Sequence, residues 1–278
     1  MHSTGHVVEA ALFHVESAGD IKQDPRSRNS CGFSPVILAL FGWRRMMCGR
    51  MRDLVLMKPA VIGPTQPNPT VFDETFRQHF ESLLKLRRDV RSFRIDPVQP
   101  DLIEHLIGLA SLAPSVGYSQ PWRFVSVESQ ECRETVRGNF ERSNRAALDL
   151  YSGKRAQLYA SLKLAGLREA PVHLAVFVDQ LTQRGTGLGR MTMPETLEYS
   201  AVLAVHTLWL AARTYGLGLG WVSILDPVEV NRGLNLPQDW KLISYLCIGY
   251  PKEDHSSPEL LRRGWEVTLP VTQLVVRR

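Results

Sequence analysis

The stretch LKLRRDVRSF, residues 84–93, sets Lys85, Arg87, Arg88 and Arg91 around one acid, Asp89. Guanidinium forks match phosphate oxygens in fixed geometry, so Arg87, Arg88 and Arg91 form a candidate anion site. A carboxylate in their midst weakens any such site, and Asp89 therefore needs a reason. Two further stretches gather polar groups at close spacing. APSVGYSQPW, residues 113–122, places Ser115, Ser119 and Gln120 around Gly117, between Pro114 and Pro121. Such a loop can clasp the polar edge of a flat heterocycle. GLGLGWVSI, residues 216–224, alternates glycines ahead of a strand pattern and carries Ser223 near its end. It is not the GxGxxG turn that opens a helix in nucleotide-binding folds. Glycines so placed let backbone lie against a planar ligand, with Ser223 close by. Plainer explanations cover the same residues: a solvated helix end for the arginines, a structural connection for the loop. A lone serine without GxSxG or a partnering histidine motif is a poor nucleophile.

Hydrophobic periodicity supplies the elements that must hold these stretches. Phe76, Phe80, Leu83 and Leu84 repeat on one helical face, with Asp73 placed to cap it, and the helix runs into the arginines. A second helix starts at Pro100 and stops at Pro114. The loop follows, then a strand, RFVSVE. Helices are expected over about 129–151 and 154–168, the second holding Leu158, Leu162 and Leu164. VHLAVFV (172–178) reads as a buried strand, and a Gly/Thr-rich loop (184–192) leads to an apolar helix over about 195–215. PVEVNRGLN reads as a short helix and KLISYLCIGY as the last core strand. Interleaved helices and strands make one α+β domain over residues 71–278. Residues 1–70 mix Ser, Asn, Gly and Pro without a sustained period and are expected to form a poorly ordered extension.

Composition narrows the function classes. A hydrophobic content of 44% over 278 residues supports a real core. Cys31, Cys48, Cys132 and Cys247 form no CxxC pair, which suits a reducing cytoplasm and argues against a disulfide framework or a metal site. The net charge of +5 owes part to Arg44, Arg45, Arg50 and Arg52, read as a solvated segment, so no nucleic-acid partner is needed. SPVILALFGW is about half the length that a bilayer demands, so no membrane span is expected. SAVLAVHTLWLAA (200–212), which carries His206, reads as a helix buried in a core or a dimer interface.

Taken together, RRDVRSF, APSVGYSQPWRF and GLGLGWVSI resemble the FMN-binding nitroreductase superfamily in order and spacing, as does the tail CIGYPKEDHSSPELLRRGW. Most members have a serine after the double arginine, where this chain has Asp89. With SGKRAQLYASLKLAGLREAP (152–171) and WVSI, that acid makes the chain similar to one branch, the 5,6-dimethylbenzimidazole synthases. The resemblance covers about residues 75–275. It implies a nitroreductase-like mixed β-sheet flanked by helices, and a homodimer with flavin at the subunit interface beneath a lid. It implies no nicotinamide site. Reduced FMN would be the substrate, supplied by a separate flavin reductase, with dioxygen as co-substrate. The products would be 5,6-dimethylbenzimidazole, the lower ligand of cobalamin, and D-erythrose 4-phosphate.

Carried over residue by residue, the resemblance makes Arg87, Arg88, Asp89, Val90 and Arg91 the run against the flavin phosphate and ribityl tail. Ser115, Gly117 and Gln120 would face the ring or tail, Leu164 would belong to the lid, and Gly220 and Ser223 would flank the isoalloxazine. Asp89 and Ser223 match the two positions tied to catalysis in this branch. Breaking a flavin requires proton transfers at the ring and the ribityl carbon after oxygen adds at C4a. A carboxylate within reach could move them, typically worth about 10² to 10⁴-fold in rate. The plainer role for Asp89 is a salt bridge that orients Arg88 or Arg91. One departure stands out. Relatives commonly carry a basic pair after the C-terminal GW, where this chain has Glu266, Val267 and Thr268. Either Arg262 or Arg263 substitutes, or phosphate is held less tightly. The competing readings are an NAD(P)H-dependent nitroreductase or flavin reductase, and a flavin-binding protein without activity.

Overall fold

Asp73 opens the first helix as its position predicts, its Oδ1 accepting the Phe76 N–H at 2.7 Å. In the computed structural model, which describes residues 72–278, this helix α1 spans Glu74–Leu86 and Arg87 caps its end. The described residues belong to the unit Pro67–Arg278. The expectation for residues 1–70, with Arg44, Arg45, Arg50 and Arg52, lies outside them. No residue of α1 is buried. Phe72, Phe76 and Phe80 stack along it in the open, with ring centroids 4.2 and 6.5 Å apart.

Seven more helices follow: α2 (Pro100–Ala110), α3 (Gln130–Leu148), α4 (Gly153–Ser161), α5 (Thr196–Thr214), α6 (Pro227–Gly233), α7 (Glu259–Arg262) and α8 (Val271–Leu274). The strands are β1 (Trp122–Ser126), β2 (Val172–Asp179), β3 (Gly218–Val222) and β4 (Trp240–Gly249), in the sheet order β1-β2-β4-β3. All three strand pairings are antiparallel. The sheet is mixed only through a parallel bridge between Asp89 and Leu219, beside β3.

Alternation along the strands builds two cores, one on each face. Leu174, Val176, Val178, Leu246 and Ile248 point into the core shared with α2 and α5. Ala175, Phe177, Tyr245 and Cys247 point the other way, towards Val136 of α3 and Val230 of α6. Period-2 alternation therefore decides which residues meet which helix layer. In α5, Ala201, Ala204, Val205, Leu208 and Ala212 are buried, while Tyr199, Val202 and Leu203 remain exposed. This helix thus buries one face only.

One expected element is shorter than its periodicity suggests. Helix α4 ends at Ser161, so Leu162 and Leu164 lie beyond it. The chain leaves the helix to pass Gly166 against Phe93, where an added Cβ would meet the ring at 2.3 Å. That close packing overrides the local helical pattern.

The second core holds a polar pair that should shape acid stability. His173, 1% exposed, has Nδ1 at 2.9 Å from the Tyr245 hydroxyl. Burial lowers the His173 pKa from 6.5 to about 4. Between those values the unfolded chain takes up a proton that the folded chain refuses, so stability falls as pH drops from 6.5 towards 4. The loss at this site should be on the order of 3 kcal/mol. Thermal melts across this range should show it, and His173→Gln should flatten that acid limb. An unchanged limb in the variant would assign the effect to other groups.

Candidate functional site

The cleft is built where the chain leaves α1. Arg87 turns out of the helix, and the next residues run along β3: Val90 N–H donates to the Leu219 carbonyl at 3.1 Å. This pairing fixes Asp89. Its Oδ1 accepts the Trp221 main-chain N–H and its Oδ2 accepts Arg91 Nε–H, each at 2.9 Å. The acid is thus held by a strand on one side and a guanidinium on the other. It also lines a cavity of about 880 Å³, together with Arg87, Arg88, Arg91, Trp209, Trp221 and Ser223. That volume lies within the range of about 300–1,000 Å³ usual for small-molecule sites.

The glycines of β3 serve this arrangement. An added Cβ on Gly220 would sit 2.1 Å from the Val90 carbonyl oxygen, and one on Gly218 would meet the Val90 side chain at 2.7 Å. They make room for the chain's own segment 89–90. Gly218 also lines the cavity, whereas Gly220 is buried and does not.

Electrostatics favour an anion. The cavity is lined by Arg87, Arg88, Arg91, Arg213, Arg262 and Arg263, with Lys163 and Lys252, against four carboxylates, Asp89, Glu253, Asp254 and Glu259. The Arg87 guanidinium lies 4.8 Å above the Trp209 ring. Trp209 Nε1–H donates to the Arg88 carbonyl at 3.2 Å. The Arg88 Nε is shielded from solvent and has no hydrogen-bond partner among the described residues. Burial, followed by the charges of Arg87, Arg262 and Arg213, holds the Arg88 pKa below the ordinary arginine value. An orphaned buried donor beside further cations fits a bound oxyanion. Cys247 is no rival nucleophile, since burial pushes its thiol up to about 12.

Not every expected residue reaches this cavity. Arg87, Arg88, Asp89, Val90, Arg91 and Ser223 line it. Ser115, Gly117, Gln120 and Leu164 do not, although Lys163 does. Ser115 Oγ instead accepts the Gln120 N–H at 3.1 Å, and Gln120 Oε1 accepts from Arg184 at 3.1 Å. Gly117, at φ 56°, packs so closely on Gly185 that a Cβ would lie 3.0 Å from its carbonyl oxygen. Sequence reasoning missed Trp209 and Arg213. Their i,i+4 spacing places both on one face of α5, and that signal was readable. From the segment 252–263 it named Arg262 and Arg263, which line the cavity, but not Lys252, Glu253, Asp254 or Glu259, whose contribution depends on a fold-back that no local pattern announces.

Comparison with known proteins gives the relationship. Residues 84–250 match the Nitroreductase family. The chain belongs to the nitroreductase family. Within it, a 5,6-dimethylbenzimidazole synthase of Rhodospirillum rubrum is 52% identical over 208 residues, 75% of this chain and 98% of the relative. One of Rhodobacter capsulatus is 47% identical over 199 residues, 72% of this chain and 96% of the relative. A crystal structure of oxidized iodotyrosine deiodinase bound to FMN and 3-iodo-L-tyrosine superposes with a TM-score of 0.54. That alignment is 28% identical and covers 63% of this chain and 91% of the other. The resemblance to the 5,6-dimethylbenzimidazole synthase branch of this family is borne out. Among the described residues, no helix is long and apolar enough to cross a membrane.

Proposed function

We propose that this chain fragments reduced FMN with dioxygen, yielding 5,6-dimethylbenzimidazole and D-erythrose 4-phosphate. The identity to the Rhodospirillum rubrum and Rhodobacter capsulatus synthases supports the product. The observation that carries the mechanism is Asp89, a carboxylate fixed at two points on the wall of a cationic cleft. Reduced FMN supplies both the ring to be broken and the electrons that dioxygen accepts. The protein supplies position and proton traffic. Its cations neutralise the phosphate, and the Trp209 and Trp221 rings, 6.4 Å apart, form an apolar wall that limits water. A carboxylate offers about four lone-pair positions. Asp89 commits two of them to Trp221 and Arg91, leaving the others to take up and return a proton. Ser223, exposed on the cleft rim one residue beyond β3, offers a hydroxyl to the same ligand.

The working unit is a homodimer. Ser115, Gly117 and Gln120 stand away from the cleft in a single chain, and α1 leaves its phenylalanine rings uncovered. A second copy covers those rings and presents its own 113–122 loop to the flavin. Light scattering should return twice the chain mass; a monomer under assay conditions removes this part. Free Cys132 and Cys247 suit the reducing cytoplasm, where a separate flavin reductase supplies reduced FMN.

The direct test mixes purified protein with anaerobically reduced FMN, admits air and seeks 5,6-dimethylbenzimidazole by mass. Rapid NAD(P)H oxidation with the flavin intact would favour an ordinary nitroreductase, and FMN released unaltered a mere flavin-binding protein. In the same assay Ser223→Ala should fold normally and bind FMN, yet slow the single turnover. Unchanged single-turnover kinetics would remove the serine from the chemistry.

A further inference from the structure

Two short helices flank the cleft with little packing to hold them. Helix α7 buries none of its residues, and α4 buries Tyr159 alone. Yet Glu259, Leu260 and Arg262 of α7 line the cavity, as does Lys163 just past α4. An aromatic cluster joins the two helices. Tyr159 stacks on Tyr151, which follows α3, with ring centroids 4.9 Å apart. The Trp265 ring packs against both, 5.5 Å from Tyr151 and 6.0 Å from Tyr159. Arg155 shares a face of α4 with Tyr159 at i,i+4 spacing. Its guanidinium lies 3.7 Å from the Trp265 ring centroid, and its Nη1–H donates to the Trp265 carbonyl at 2.8 Å. The Tyr159 hydroxyl donates to Asn144 Oδ1 at 2.8 Å, which ties the cluster to α3.

Local backbone geometry aims Trp265 at this cluster. Gly264 takes φ 69°, and the Trp265 N–H donates back to the Leu260 carbonyl at 2.8 Å. A glycine in that conformation ends a helix by turning the chain back over its last turn. Trp265 therefore moves with α7. The chain after α4 is fixed separately: Arg91 donates to the Lys163 carbonyl at 3.2 Å, and Gly166 packs on the Phe93 ring. When the aromatic contact parts, that fixed end is the pivot about which α4 can swing.

We infer that Trp265 is a positioning residue that fastens α4 to α7, and that the parting of this contact sets how fast ligand enters and leaves the cleft. Tyr151, Arg155, Tyr159 and Trp265 all stand outside the cavity lining, so they act through the two helices and not on the ligand. The contact holds the filled and the empty cleft alike. Releasing it should speed entry and exit together and change affinity little. The choice of FMN as the ligand rests on the function proposed above.

The test has two arms, both on the full chain. Amide hydrogen exchange without ligand follows residues 153–164 and 259–265. Stopped-flow flavin fluorescence measures the binding and release rates of oxidised FMN. Trp265→Leu should speed exchange in both segments by about 10- to 100-fold, the combined weight of the ring contacts and the cation–π contact. Exchange in β2 and β4 should stay as it is. Both FMN rates should rise by a similar factor. Arg155→Gln, a milder change at an exposed residue, should raise them by about 2- to 5-fold. Trp265→Phe, which keeps a ring in place, should recover most of the wild-type behaviour. Faster exchange in one segment only, or unchanged exchange in both, overturns the inference. So does a release rate that rises alone with a matching loss of affinity, the result of simple damage to the site. If the wild type binds no FMN, the reading of FMN as ligand falls, and exchange in the two segments still decides whether Trp265 joins them. Product formed in air with both arms unmoved by Trp265→Leu leaves the proposed reaction standing and removes the clasp.

Discussion

Asp89→Asn should still bind FMN but lose about 10² to 10⁴-fold in the rate of 5,6-dimethylbenzimidazole formation, the usual weight of a general acid–base group. The geometry explains why this one change separates chemistry from binding. Asparagine can keep an acceptor for the Trp221 N–H, so the segment stays paired to β3. Its amide nitrogen then faces Arg91 Nε, donor against donor, where a carboxylate oxygen accepted before. The lost bond should cost on the order of 1–3 kcal/mol in stability, an effect visible in a melt. The lost basic site should cost far more in rate. A strut-only role makes a different forecast: Arg91→Gln, which removes the other half of the contact, would then reproduce the whole rate loss at equal FMN affinity. Full product from Asp89→Asn would remove the acid from the mechanism altogether.

What the sequence could reveal follows from the range of the interactions involved. The cap at Asp73, the alternation in VHLAVFV and the buried face of α5 depend on near neighbours, and the structure agrees with each. The end of α4 was not legible, because the cause lies far along the chain in Phe93. The arginine run was recognisable as an anion site, yet its division of labour was not. Which guanidinium is tied and which is left over depends on Glu259 and Ser256, more than 160 residues away by number. The 113–122 loop shows the other limit. Its residue types suit a ligand, but within one chain they satisfy each other and Arg184.

Gly220→Ala should be the most damaging small substitution in the cleft wall. The added carbon would stand 2.1 Å from the Val90 carbonyl oxygen, and the atom it meets is backbone, which no rotamer change can move. Relief requires segment 89–90 to lift off β3. That breaks the Val90–Leu219 hydrogen bond and pulls Asp89 from the Trp221 N–H. Overpacking of this kind should cost about 3 kcal/mol, or roughly 6–12 °C in Tm for a domain of this size. FMN affinity should fall with it, since Arg88 and Asp89 are carried on the displaced segment. Gly108→Ala is the matching control. It lies in α2 with nothing within 4 Å of the new carbon, and alanine there should stabilise by about 0.5–1 kcal/mol through helix propensity. If Gly220→Ala melts with the wild type and binds FMN as tightly, strand β3 does not position Asp89. The cleft would then have to be rebuilt around some other support.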